Sequence, residues 1–115
     1  MTATVLKHPS ANVRHADAPA FAKALQPEEA LFLFSAGELT SRAKQFLDHF
    51  PGTVSYAVKC NSSANVIATL AEAGVNHWDV ASVHEMKAVT ASAAMPHFHY
   101  HNPVKSRREI EDAYK

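Results

Sequence analysis

Lysine is the residue type that bonds reversibly to aldehydes, and Lys59 stands where that chemistry can be done. It closes the stretch Thr53-Val54-Ser55-Tyr56-Ala57-Val58, whose β-branched and aromatic content reads as a strand. A lysine stem among apolar neighbours disfavours the ammonium, and the neutral amine is the form that attacks a carbonyl. The competing reading is a solvated lysine where a strand meets its loop. Two more groups stand at the ends of later runs. Asp79-Val80-Ala81-Ser82 closes a run that opens at His77, with Glu85 three residues beyond Ser82. Asn102-Pro103 and Lys105 follow Phe98-His99-Tyr100-His101. Asp79 is either a site carboxylate or a solvated one. Glu85 stands at the capping-box spacing from Ser82, a role compatible with a place in a site.

The chain has eight histidines in 115 residues. His97, His99 and His101 alternate, so on a strand all three rings share a face. Imidazoles on one face are one route to a zinc or copper cluster. A His-x-His pair is also similar to the metal ligands of amidohydrolase-type hydrolases, which makes a metal-dependent hydrolase the rival function. Against it, the opposite face would carry Phe98 and Tyr100, and the strand brings no carboxylate ligand. The expectation is that no metal binds. His49, His77, Trp78 and His84 read as packing or surface residues.

These groups need elements to position them. Ala18 to Leu25 reads as a short helix, with Asp17 as N-cap and Pro19 in its first turn. Leu31-Phe32-Leu33-Phe34-Ser35 reads as a buried strand. Leu39, Ala43, Phe46, Leu47 and Phe50 recur at helical spacing until Pro51-Gly52 stops the element. After the strand at 53–58, Ser62 or Ser63 caps a helix with Val66, Ile67, Leu70 and Ala71 inward, ended by Gly74. A strand over His77 to Ala81, a helix from Ser82 to about Ala93, a strand over residues 97–101 and a helix opened by Ser106 complete the chain. Strands alternating with helices predict an α/β fold of βαβ units with parallel strands. A doubly wound sheet and the start of a (β/α)8 barrel both fit. Because a closed barrel needs roughly 250 residues, the chain is expected to hold only its first three units and to be truncated.

Composition narrows the function classes. Eleven basic residues balance eleven acidic ones, which removes the electrostatic argument for nucleic acid or an anionic membrane as partner. A single cysteine, Cys60, rules out an intrachain disulfide framework and fits a reducing compartment. No apolar run has the length of a signal peptide or a membrane span. A cytoplasmic protein is expected.

The three strand-end groups, in order, resemble the ornithine/diaminopimelate decarboxylase family. The stretch Tyr56-Ala57-Val58-Lys59-Cys60-Asn61 is similar to the segment whose lysine carries pyridoxal 5'-phosphate. Asp79-Val80-Ala81-Ser82 with Glu85 looks like the second-strand motif, and Asn102-Pro103-x-Lys105 like the third. Val80 stands where the family usually has cysteine, and Trp78 where it has phenylalanine. The resemblance implies a fold-type III, alanine-racemase-like barrel over 38–115, with residues 1–37 contributing to a second, β-rich domain. It implies Lys59 as the catalytic, cofactor-bonded residue, and Ala57, Asp79 and Glu85 as cofactor-site neighbours. It implies decarboxylation of a basic amino acid to a diamine for polyamine biosynthesis. Cys60, where the diaminopimelate branch tends to have alanine, points to ornithine or lysine. The family parent would be a homodimer acting on a small amino acid. The 115 residues alone lack the phosphate-binding loop and the partner of the pyridine nitrogen, and are expected to be inactive. A non-catalytic, decarboxylase-like binding protein is the remaining alternative; Lys59 speaks against it.

Overall fold

The computed structural model describes residues 18–30 and 32–115. They fall into two compact units that divide between Phe34 and Ser35. In the first, helix α1 spans Ala18–Leu25 as the sequence predicts. Asp17, its predicted N-cap, and Leu31 lie outside the described residues.

The strand expected from Leu31 to Ser35 is not formed over its described part. Phe32, Leu33 and Phe34 carry no ladder and are exposed. An apolar run becomes a strand only by pairing, and no described segment pairs with this one.

In the second unit, helix α2 spans Ala36–His49, with the Ser35 hydroxyl accepting from Glu38 N–H. Ala43 is buried, with Leu39 and Leu47 packed beside it, but Phe46 and Phe50 are exposed. The helical period therefore placed the stripe correctly and overestimated its width.

Three βα units follow. Strand β1 is Ser55–Ala57, β2 is His77–Val80 and β3 is His97–Tyr100. The sheet order is β1-β2-β3 and both pairings are parallel. Helices α3 (Ala64–Glu72), α4 (Val83–Thr90) and α5 (Arg107–Ala113) follow the strands in turn. The result is an α/β unit with a three-stranded parallel sheet.

The strand alternation separates two faces. Trp78 and Val80 are sealed from solvent, and with Tyr56, Phe98 and Tyr100 they join Val66, Ile67, Leu70, Met86 and Val89 of the helices in one core. Tyr56 meets Trp78 edge to face, at 6.0 Å between ring centres. The other face presents Ser55 and Ala57 of β1, His77 and Asp79 of β2, and His97 and His99 of β3.

One turn shows how locally determined such joints are. Helix α3 ends on Gly74 at φ +107°, where Val75 N–H reaches the Leu70 carbonyl and Gly74 N–H the Ala71 carbonyl, both at 3.0 Å. This is the paired arrangement that a left-handed residue after a helix permits, and it turns the chain toward β2.

Candidate functional site

Strand β1 leaves its ladder after Ala57, and Val58–Cys60 form a single 3-10 turn. Lys59 therefore sits just past the C-terminal end of β1 rather than on it. The turn is fixed on both sides. Val58 is fully buried, and the Tyr56 hydroxyl donates to the Asn61 carbonyl at 3.2 Å, bridging across Lys59. Asn61 then accepts from Ser63 N–H through its side-chain oxygen at 3.0 Å, starting α3 without a hydroxyl cap from Ser63. Burial, and then the neighbouring Cys60, hold the Tyr56 hydroxyl above its ordinary range. The Lys59 side chain is exposed, and its amine has no hydrogen bond or ion pair among the described residues. The apolar envelope expected around it is thus not provided here, because Val58 turns into the core while Lys59 turns away.

Parallel register brings the other predicted residues to the same end. Ala57 pairs with Asp79, and Asp79 with His99. Asp79 is half-buried on the polar face, and its Oδ1 lies 2.9 Å from His101 Nδ1. Glu85 is placed differently. Its backbone N–H donates to the Ser82 hydroxyl at 3.2 Å, while its Oε2 accepts from Ala81 N–H at 2.8 Å. In a capping box that carboxylate would take the N–H of Ser82 itself. Here it reaches one residue further back and closes the β2–α4 turn. A complete capping box occurs instead at Ser106 and Glu109 of α5.

Lys105, the competing amine of the third motif, lies with its Nζ 4.8 Å from the Tyr100 ring centre. Tyr100 belongs to the helix-covered face, so Lys105 is held on the side of the sheet away from Asp79.

The polar face also gathers histidines that sequence reasoning had divided. His77, read as a surface or packing residue, stacks on His97 at 4.9 Å and on His99 at 5.2 Å between ring centres. His99 stacks on His101 at 5.9 Å. His77 Nδ1 and His99 Nε2 share a hydrogen bond of 3.0 Å. Burial, then the charges of His97 and His99, lower the His77 pKa from its ordinary 6.5. The signal that could have found His77 was its position in its own strand, which matches that of His97. Among the described residues no group of three or more His, Cys, Asp or Glu could hold a metal ion. No described helix is long and apolar enough to cross a membrane.

Residues 36–115 match the family described as pyridoxal-dependent decarboxylase, pyridoxal binding domain. With its parallel α/β unit and a lysine at the strand ends, the chain belongs to this pyridoxal-dependent decarboxylase family, and its cofactor is pyridoxal phosphate. An ornithine decarboxylase of Candida albicans is 34% identical over 90 residues, covering 75% of this chain and 19% of that protein. An antizyme inhibitor 2 of Xenopus laevis is 35% identical over 92 residues, covering 78% of this chain and 20% of that protein. The chain thus spans about a fifth of the length of these relatives. No solved structure matches it significantly.

The residues present fit the aldehyde end of the cofactor. A primary amine, unpartnered among the described residues, stands beyond a strand whose polar-face residue, Ala57, is small. A carboxylate, Asp79, faces Ala57 from the next strand.

Proposed function

We propose that this chain supplies the lysine-bearing part of a decarboxylase that converts a basic amino acid, ornithine or lysine, to a diamine. The observation that carries the proposal is Lys59. It is an amine without a partner among the described residues, set on a turn strapped by Tyr56 and Asn61, in a chain of the pyridoxal-binding family. Pyridoxal phosphate, when bound, supplies the electron sink for loss of carbon dioxide from the α-carbon.

The chain's own residues bind and orient. The Lys59 amine would hold the cofactor at its aldehyde end. Ala57 leaves room for the ring, and Asp79 directs its carboxylate at the same end of the sheet. Glu85 stiffens the β2–α4 turn that carries Asp79's strand into α4. In this reading the three βα units belong to a (β/α)8 barrel, where strand C-terminal ends hold the reacting groups. The working protein is a cytoplasmic homodimer.

Borohydride reduction in the presence of pyridoxal phosphate converts the reversible bond to a stable amine that mass spectrometry can locate. The expected result is a single modified peptide containing Lys59, no adduct in Lys59→Ala, and an unchanged adduct in Lys105→Ala. Labelling of Lys105, or a bound cofactor retained by Lys59→Ala, would overturn the proposal. A second reading, a decarboxylase-like binding protein, draws support from the antizyme inhibitor relative. It gains if the whole protein that carries this chain takes up no cofactor.

A further inference from the structure

His101 lies outside the Asn-Pro motif that follows it, yet three contacts fix its ring. Its backbone N–H donates to the Val80 carbonyl at 3.2 Å, carrying the β2–β3 ladder one residue past Tyr100. Strand alternation therefore continues, and the ring falls on the face of His99 rather than that of Tyr100. The ring stacks on His99 with 25° between planes, and its Nδ1 meets Asp79 Oδ1 at 2.9 Å. A side chain 70% exposed is thus held at one place over a carboxylate 33% exposed.

We propose that His101 is a positioning residue for Asp79, holding its carboxylate at the C-terminal end of the polar face toward the cofactor anchored on Lys59. The inference rests on the function proposed above. To bond a carboxylate, Nδ1 must carry the proton, whatever the charge of the ring. The contact occupies Oδ1 only. Oδ2 has no partner among the described residues and stays available to the site. The other polar-face groups do not compete for Asp79. His77 and His99 are bonded to each other, His97 stacks on His77 toward the N-terminal end, and β1 offers only Ser55 and Ala57. An exposed pair of this kind adds little to folding stability, so its consequence is orientation.

Adduct formation measured against pyridoxal phosphate concentration, with borohydride trapping, tests the role. His101→Ala is expected to weaken cofactor uptake by about two- to fivefold, the scale of an exposed charge-assisted contact. His101→Asn, whose amide nitrogen can stand near the position of Nδ1, is expected to restore it. In an Asp79→Ala background His101→Ala is expected to change nothing further, since the two act as a unit. In the unloaded chain, the Nδ1-bound proton of His101 should give a low-field NMR resonance that vanishes in Asp79→Ala. Absence of that resonance overturns the pair itself. Uptake by His101→Ala equal to wild type, or by His101→Asn as weak as by His101→Ala, overturns the positioning role and leaves the function proposed above intact. No uptake by the whole protein that carries this chain removes both.

Discussion

Trp78 and Asp79 are adjacent in sequence and live in opposite environments. Trp78 faces the helices and is sealed from solvent, whereas Asp79 faces the polar side among four stacked imidazoles. The same division runs through every strand of the sheet. Tyr56, Phe98 and Tyr100 pack with the helices, while Ala57, His97 and His99 stand on the other side. One face is thus built to hold the unit together, and the other carries the residues proposed to serve its chemistry. The cost of altering a residue should follow the face more than the residue's size.

The largest effect is expected at Trp78. Replacing it by alanine removes the largest fully buried side chain and leaves a cavity, at a cost of about 3–5 kcal/mol. His99→Ala, on the polar face, is expected to cost no more than about 1 kcal/mol. Urea denaturation of both variants checks the pair, and equal losses would erase the distinction between the faces.

A smaller effect concerns acid. His77 has a folded-state pKa below its ordinary 6.5, so the folded chain binds fewer protons than the unfolded chain as pH drops through that region. The stabilising contribution is present in full above 6.5 and is lost as pH falls from there toward the lowered value. His77→Gln removes the titrating group and should flatten the stability profile over that window. Thermal melts at successive pH values measure it, and an unchanged slope would remove His77 from the account.

The smallest effect is expected from metal. His97, His99 and His101 should retain no stoichiometric zinc after dialysis against a weak chelator, because no group of three or more His, Cys, Asp or Glu among the described residues is placed to hold a metal ion. Retained zinc that disappears in His99→Ala would break the comparison and favour a hydrolase.

Much of the unit was legible because its signals are local. Helical periodicity located α2, α3 and α4, and the Gly74 stop followed from the left-handed backbone that glycine adopts readily. Alternation of strand and helix implied parallel pairing, since a parallel neighbour requires a crossover. Period-two spacing put His97, His99 and His101 on one face.

Residues whose fate depends on a partner elsewhere in the chain were not legible. The run from Phe32 to Phe34 has strand composition but no ladder. Phe46 and Phe50 have the helical period but stay exposed among the described residues. Glu85 has the capping-box spacing, yet its carboxylate goes to Ala81, a choice made by the geometry of one turn.

The sequence by itself determined the order and type of the βα units, the family motifs, and Lys59 as the amine beyond the first strand. Only the tertiary structure decided which side of the sheet the helices cover. It also decided that Lys59 stands on a 3-10 turn, that His77 joins the histidine stack, and that His101 meets Asp79. Local spacing determines where a side chain lies relative to its own strand. Contacts between strands depend on register, which is set by burying Trp78, Val80 and their helix partners in one core.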